Sequence, residues 1–283
     1  MDDLSAFLTE ATSRAVNPLV ADFAKALAQR QAGAVAVLAY GSALRDSSPA
    51  ETLIDYYVLV ERPEDVNGNY VLCWLGDRVP PNVHYAEHVN GEAVARSKYA
   101  VMTLERFHDL TAPETANPYL WARFCQPSRI VWLRDEQARG RIVEALRAAV
   151  RTAFSHGLFL SVARPWQSLF ENTYRTELRP EGASRAALIV EADADYYQRL
   201  TILLAGTQPR PASWAAKRVF GKLWTVARLA KAAFTFQGGA DYAAWKIARH
   251  SGVKIEVTDW QRRHPFLAGV TMLPKLLGRK GLR

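Results

Sequence analysis

Two short apolar runs constrain this chain more than any other feature. Ala34 to Tyr40 (AVAVLAY) and Leu53 to Val60 (LIDYYVLV) are rich in β-branched and aromatic residues and carry a single acid, Asp55. Runs of this length without polar alternation read as strands buried on both faces. Gly41-Ser42 ends the first run, and Arg45-Asp46-Ser47-Ser48-Pro49 is loop chemistry. Before them, residues 4–31 show helical spacing (Phe7, Ala11, Ala15, then Leu19, Phe23, Leu27), interrupted at Asn17-Pro18.

The rest of the chain alternates similarly. Tyr70 to Trp74 fits a short strand or a helix end. Strand-like stretches around His84–Glu87 and Lys98–Met102 flank Asn90-Gly91, a strong hairpin signal. Residues 118–153 read as helical, except Ser128–Leu133, which reads as a strand. Asp135 to Ala153 is amphipathic, with Ile142, Leu146 and Val150 inward. Trp166 to Leu204 reads as helical with a turn at Pro180-Glu181-Gly182, and Gln208-Pro209-Arg210-Pro211 is a linker candidate. The pattern predicts an α+β chain: a mixed sheet flanked by helices over 1–135, a helical domain over 136–209, and a distinct C-terminal region over 210–283.

Composition narrows the classes. Of 283 residues, 49% are apolar and 23% charged, which excludes global disorder. No apolar run reaches the roughly 18–20 residues that a membrane span needs. The acidic start Met1-Asp2-Asp3 predicts no secretion signal. Cys73 and Cys125 have neither metal-ligand nor disulfide-framework spacing, which predicts a reducing, cytoplasmic setting. His84, His88 and His108 read as surface or core histidines.

The net charge of +8 is unevenly placed. Residues 210–283 hold 15 Lys/Arg against 3 Asp/Glu, whereas residues 1–209 hold 21 against 25. Such asymmetry points to a polyanionic surface, or simply to a solvated basic face. On a helical wheel from Trp214 to Phe234, Val219, Leu223, Val226, Ala227, Ala230 and Phe234 gather on one side. Lys217, Arg218, Lys222, Arg228 and Lys231 gather on the other, with Trp224 near the border. A basic amphipathic helix of this kind suits an anionic bilayer surface, and an ordinary core-packing helix gives the same wheel. The mixture of apolar and basic residues in Phe266–Leu267 and Leu273–Arg283 favours the membrane, at roughly 1 kcal/mol per cation. No zinc finger, RNA-recognition motif or basic zipper points to nucleic acid.

The chemistry-bearing pattern is strand, Gly41-Ser42, loop, and Asp55 inside the next strand. Gly41 lets the backbone approach a phosphate closely, and Ser42 can donate a hydroxyl hydrogen bond. Asp55 would hold a divalent metal bridging a triphosphate. That is the logic of a nucleotidyltransferase, although an ordinary turn beside a satisfied acid leaves the same trace. Many members of the DNA polymerase β-type superfamily place a second acid two residues on, where it shares a face with the first. Here that position is Tyr57.

Tyr40-Gly41-Ser42 followed by Ile54-Asp55-Tyr56-Tyr57-Val58-Leu59-Val60 resembles the mitochondrial translocator-maintenance family of phosphatidate cytidylyltransferases, which also tends to carry one acid in this strand. The likeness continues in order through His84-Tyr85, Asn90-Gly91, Lys98-Tyr99-Ala100-Val101, the stretch Tyr119 to Ile130, and Thr173 to Arg179, covering roughly residues 35–200. Gln126 stands where the family has Lys, Ala100 where it has Gly, and Glu177 where it has Asp; beyond about residue 210 no counterpart is evident. The chain looks like a bacterial relative with its own membrane-facing tail.

The resemblance implies that CTP and phosphatidic acid yield CDP-diacylglycerol and pyrophosphate with Mg2+, on the inner face of a membrane. It implies Asp55 as metal ligand, and Glu177 as second carboxylate, whether ligand, base or helix-surface ion pair with Arg175 or Arg179. Lys98 and Arg123 would neutralise the triphosphate or the lipid phosphate, or point outward as ordinary charges. Tyr85 and Asn90 would shape a base or ribose pocket, unless an ordinary hairpin explains both. Gly41 and Ser42 would contact the nucleotide, and Lys217, Arg218, Lys222, Trp224, Arg228 and Lys231 the membrane. The alternatives are a nucleotidyltransferase with a soluble acceptor, or an inactive nucleotide-binding membrane adaptor.

Overall fold

The computed structural model describes residues 2–44, 53–66, 70–91, 93–176, 184–251 and 256–263. The predicted loop 45–49, the turn at 180–182, Glu177 and the tail from Phe266 lie outside the described residues. The helical start divides at Asn17-Pro18 into α1 (Asp3–Ser13) and α2 (Pro18–Arg30). The Asn17 side chain accepts from the Leu19 N–H and so caps α2.

The two apolar runs are strands β1 (Ala34–Tyr40) and β2 (Leu53–Val60). Tyr70 to Trp74 resolves as the start of helix α3 (Tyr70–Arg78), not a strand. The expected hairpin is β3 (Asn82–Asn90) and β4 (Ala93–Thr103), with Asn90 opposite Ala93. Helices α4 (Leu104–Thr111) and α5 (Trp121–Phe124) then lead into β5 (Ser128–Leu133). The five strands form one mixed sheet in the order β3-β4-β2-β1-β5. β2 and β4 run parallel, and the other neighbours are antiparallel.

Residues alternate between the two faces of this sheet. One face presents Ile54, Tyr56 and Val58 to Phe23, Ala24 and Leu27 of α2. The other presents Leu38, Tyr57, Leu59 and Met102 to Leu8 of α1, Phe107 of α4, and α6 (Glu136–Leu160). Ile142, Leu146 and Val150 of α6 are buried there, as their spacing predicts. Covering on both sides explains why β1 and β2 lack polar alternation.

The same apolar cluster continues through α7 (Pro165–Tyr174), α8 (Ser184–Ala192) and α9 (Ala194–Leu203) to Trp214. The linker Gln208–Pro211 is extended and fastened to α6: the Arg210 N–H donates to the Ser155 carbonyl (3.0 Å), and the Ser155 hydroxyl donates to the Gln208 carbonyl (2.6 Å). His156 Nδ1 lies 3.1 Å from the Arg210 carbonyl oxygen.

Beyond it run α10 (Trp214–Thr235), α11 (Gly239–Ser251) and α12 (Asp259–Arg263). The α10–α11 connection meets the sheet at its β3 edge, where the Tyr85 N–H donates to the Gln237 carbonyl (2.9 Å). That bond caps an edge strand's free donor. Among the described residues, no helix is long and apolar enough to cross a membrane.

Helix α10 is turned opposite to the usual sense. Val219, Leu223, Val226 and Leu229 are 55–65% exposed, and Phe220 is 42% exposed. Lys217, Arg228 and Lys231 instead face the body of the protein. The Lys217 ammonium donates to the Ala116 carbonyl at 3.1 Å. Lys231 is 4% exposed and donates to the Val79 carbonyl (2.6 Å), the Pro81 carbonyl (2.8 Å) and Asn82 Oδ1 (2.8 Å). Lys231 is therefore corrected from a membrane contact to an internal strut, while Lys217 and Arg228 are half-buried on the side of the helix that meets the protein. Only Arg218 and Lys222 of the basic set are exposed, and Trp224 is half-buried. Gly221 makes the close approach possible: a Cβ there would lie 2.6 Å from the Thr176 carbonyl oxygen.

Candidate active site

The strand registers align several of the candidate residues. Asp55 of β2 stands opposite Tyr40 of β1 on one side and Lys98 of β4 on the other. Lys98 in turn faces Tyr85 of β3, and Tyr40 faces Ser128 of β5. The row Ser128–Tyr40–Asp55–Lys98–Tyr85 thus crosses all five strands. At about 4.8 Å per strand step, Asp55 and Lys98 are immediate neighbours.

Gly41 has φ +83°, a backbone conformation that favours glycine. A Cβ at this position would lie 3.5 Å from Asp55 Oδ2, so the carboxylate sits directly beside the bare Gly41 backbone. Ser42 opens a single 3-10 turn, Ser42–Leu44, rather than a helix; its side chain is outside the described part. Asp55 is half-buried, whereas Lys98 is exposed.

The position two residues beyond Asp55 belongs to the core. Tyr57 is fully buried, packs edge-on against Phe124 (ring centroids 5.0 Å apart), and donates its hydroxyl to the Tyr119 hydroxyl at 3.3 Å. The tyrosine fills the core at this position, among aromatic rings and near the Arg123 guanidinium, so Asp55 has no carboxylate neighbour two residues on.

Arg123 reaches the row from α5. Trp121 and Phe124 anchor this short helix in the core and leave Arg123 facing Tyr40. Arg123 Nη1 donates to the Tyr40 hydroxyl at 2.6 Å, and the guanidinium lies 4.6 Å from the Tyr119 ring centroid. Burial pushes the Tyr40 hydroxyl well above its ordinary value, with Arg123 pulling the other way, so Tyr40 stays protonated while accepting from Arg123. A second guanidinium arrives from α10: Arg228 lies 3.6 Å from the centroid of the same Tyr119 ring. Arg228 Nε is buried with no hydrogen-bond partner among the described residues. Residue type and spacing gave no sign of this pairing, because Arg228 and Tyr119 lie 109 positions apart.

Other candidates are placed differently. Tyr85 is in the row, but its hydroxyl donates to Glu87 Oε1 at 2.8 Å and its ring packs against Tyr242 of α11. Asn90 lies five residues along β3 from Tyr85, roughly 17 Å at strand rise. There its amide donates to Asp22 of α2 at 3.1 Å, away from the row. Gln126 folds back onto the Ala122 carbonyl (3.1 Å). His84 is buried beside Tyr99, His88 stacks on Phe23, and His108 is exposed.

As to metal, the described part of the row supplies one carboxylate, and no cluster of three His, Cys, Asp or Glu occurs among the described residues. Mg2+ is commonly held by one or two carboxylates together with substrate phosphates and water, so Asp55 beside an open glycine fits one protein ligand of such an ion. No protein-family model and no curated protein matches this chain.

Proposed function

We propose that the protein is a cytidylyltransferase that joins CTP to phosphatidic acid at a membrane surface, giving CDP-diacylglycerol and pyrophosphate. The observation that carries this reading is the Tyr40–Asp55–Lys98 row beneath the bare backbone of Gly41, with Arg123 and Arg228 beside it. One acid and three cations suit a reaction in which every reactant is a phosphate.

An oxygen of the lipid phosphate attacks the α-phosphorus of CTP, a P–O bond forms, and the bond to pyrophosphate breaks. Phosphatidate is already anionic, so positioning and charge neutralisation matter more than proton removal. Asp55 would hold Mg2+, which when bound neutralises triphosphate charge. Lys98 and Arg123 offset charge on the phosphates, and Tyr40 holds Arg123 in place. Glu177 stays a candidate second carboxylate.

The outward face of α10 supports a membrane as the partner. Its apolar stripe is flanked by exposed Arg218 and Lys222, a combination that inserts hydrocarbon and keeps cations at an anionic headgroup layer. The membrane contact is thus assigned to Val219, Phe220, Leu223, Val226 and Leu229, with the two flanking cations.

The buried Tyr57 favours one other reading, a nucleotide-binding adaptor without turnover. Incubating the protein with labelled CTP, Mg2+ and phosphatidate-containing vesicles separates the two. The cytidylyltransferase reading expects labelled CDP-lipid, and its loss in Asp55→Asn with the fold retained. An inert wild-type protein that still binds CTP would establish the adaptor instead.

A further inference from the structure

A cavity of about 290 Å3 lies between α4, the segment 115–120 and α10. Its apolar walls include Pro81, Met102, Leu110, Leu120, Phe220 and Trp224. We infer that this cavity takes one hydrocarbon chain of the lipid phosphate. The inference rests on the lipid-phosphate reading above and adds to it the place where the chain is held.

The size suits a single chain. At about 30 Å3 per water-sized group, the space holds roughly ten such groups, far more than a packing defect. The charged side chains in the wall, Arg106 and Asp109, are already paired. Arg106 donates to the Asp77 carbonyl (3.2 Å) and to Asp109 Oδ2 (3.4 Å), and pairs with Asp77 Oδ1 at 3.7 Å. They therefore leave the interior without an unmet charge to attract a polar occupant.

The cavity lining combines two kinds of surface that match an alkyl phosphate. Phe220 and Trp224, stacked with centroids 5.8 Å apart, belong both to its lining and to α10. Phe220 is part of the outward apolar stripe, so a chain leaving a bilayer meets continuous hydrocarbon. The lining also includes Tyr119, whose ring carries the guanidiniums of Arg228 and Arg123. Arg123 binds Tyr40, the strand neighbour of Asp55. A phosphate whose chain fills the cavity would therefore meet two cations beside the row. The volume admits one chain, and the second stays in the bilayer.

Titration calorimetry on the full chain without nucleotide tests this, using decyl phosphate below its micelle concentration, with inorganic phosphate and decanol as controls. Decyl phosphate should bind at least about tenfold tighter than inorganic phosphate, the return expected from as few as two buried methylenes. Ala116→Trp and, independently, Leu110→Trp should fill the cavity and remove that advantage without changing inorganic phosphate binding. Arg228→Met should weaken both phosphates. Equal affinity for decyl and inorganic phosphate, or an advantage untouched by both tryptophan variants, would overturn the assignment. Chain-dependent binding without cytidylyl transfer would retain the chain site and discard the reaction. Transfer without chain-dependent binding would do the reverse.

Discussion

Lys231 offers the sharpest quantitative test, because two physical effects on it oppose each other. Its ammonium meets three acceptors at 2.6–2.8 Å, and only the charged form has three protons to give. Burial nevertheless disfavours the charge, with Arg228 adding repulsion, and pulls Lys231 down to about 7. Replacing it with Met leaves two carbonyls and an amide oxygen unmet. Each buried orphan costs about 1–3 kcal/mol, partly offset by removing a desolvated charge and by water reaching the helix. A loss of about 2–4 kcal/mol at pH 7 is expected.

The pH dependence follows from linkage. The unfolded lysine titrates near 10.4 and the folded one lower, so between these values the unfolded state binds more protons. Stability from this group must rise as pH rises through that window. The gap between wild type and Lys231→Met should therefore widen by about 2 kcal/mol from pH 7 to pH 9. Urea unfolding followed by tryptophan fluorescence, extrapolated linearly at each pH, measures it. A gap that stays constant or narrows would refute the reasoning, because the three acceptors would then outweigh burial and hold the ammonium charged.

Three further outcomes are expected. Leu223→Glu combined with Val226→Glu should reduce flotation with anionic vesicles by at least about tenfold, since each apolar side chain contributes about 1.5–3 kcal/mol when inserted; unchanged flotation would place the membrane contact elsewhere. Gly221→Ala should destabilise the protein by about 1–3 kcal/mol in the same urea assay, because the new methyl meets the Thr176 carbonyl and α10 must shift. Asn90→Ala should change CTP turnover less than about twofold and stability by about 0.5 kcal/mol, since its amide is spent on an exposed bond to Asp22; a large turnover loss would bring the hairpin tip back to the nucleotide.

The sheet was legible where burial is two-sided. β1 and β2 show as unbroken apolar runs because helices cover both faces, and Asn90-Gly91 marked the hairpin through its turn chemistry. Helix α10 was legible as a helix but not in its facing. A helical wheel separates two sides without saying which is inside, and the default places the apolar side there. What reverses it is distant in sequence: the acceptors of Lys231 are Val79, Pro81 and Asn82, and the seat of Arg228 is Tyr119. Within the candidate site, Asp55 and Gly41 could be read from one strand–turn–strand unit. The Tyr119 platform could not, although Tyr119 lies in a segment already suggestive, because its partners come from β2, α5 and α10.

The fastening of Gln208 and Arg210 to α6 has a mechanical consequence. A helix joined by a slack linker could swing, letting the body drift over a bilayer at any tilt. Here the same atoms that carry the chain out of the helical layer fix the root of α10 against it. Pressing the outer stripe into lipid would then set the pitch of the whole molecule, and with it the height of the Asp55 row above the headgroups.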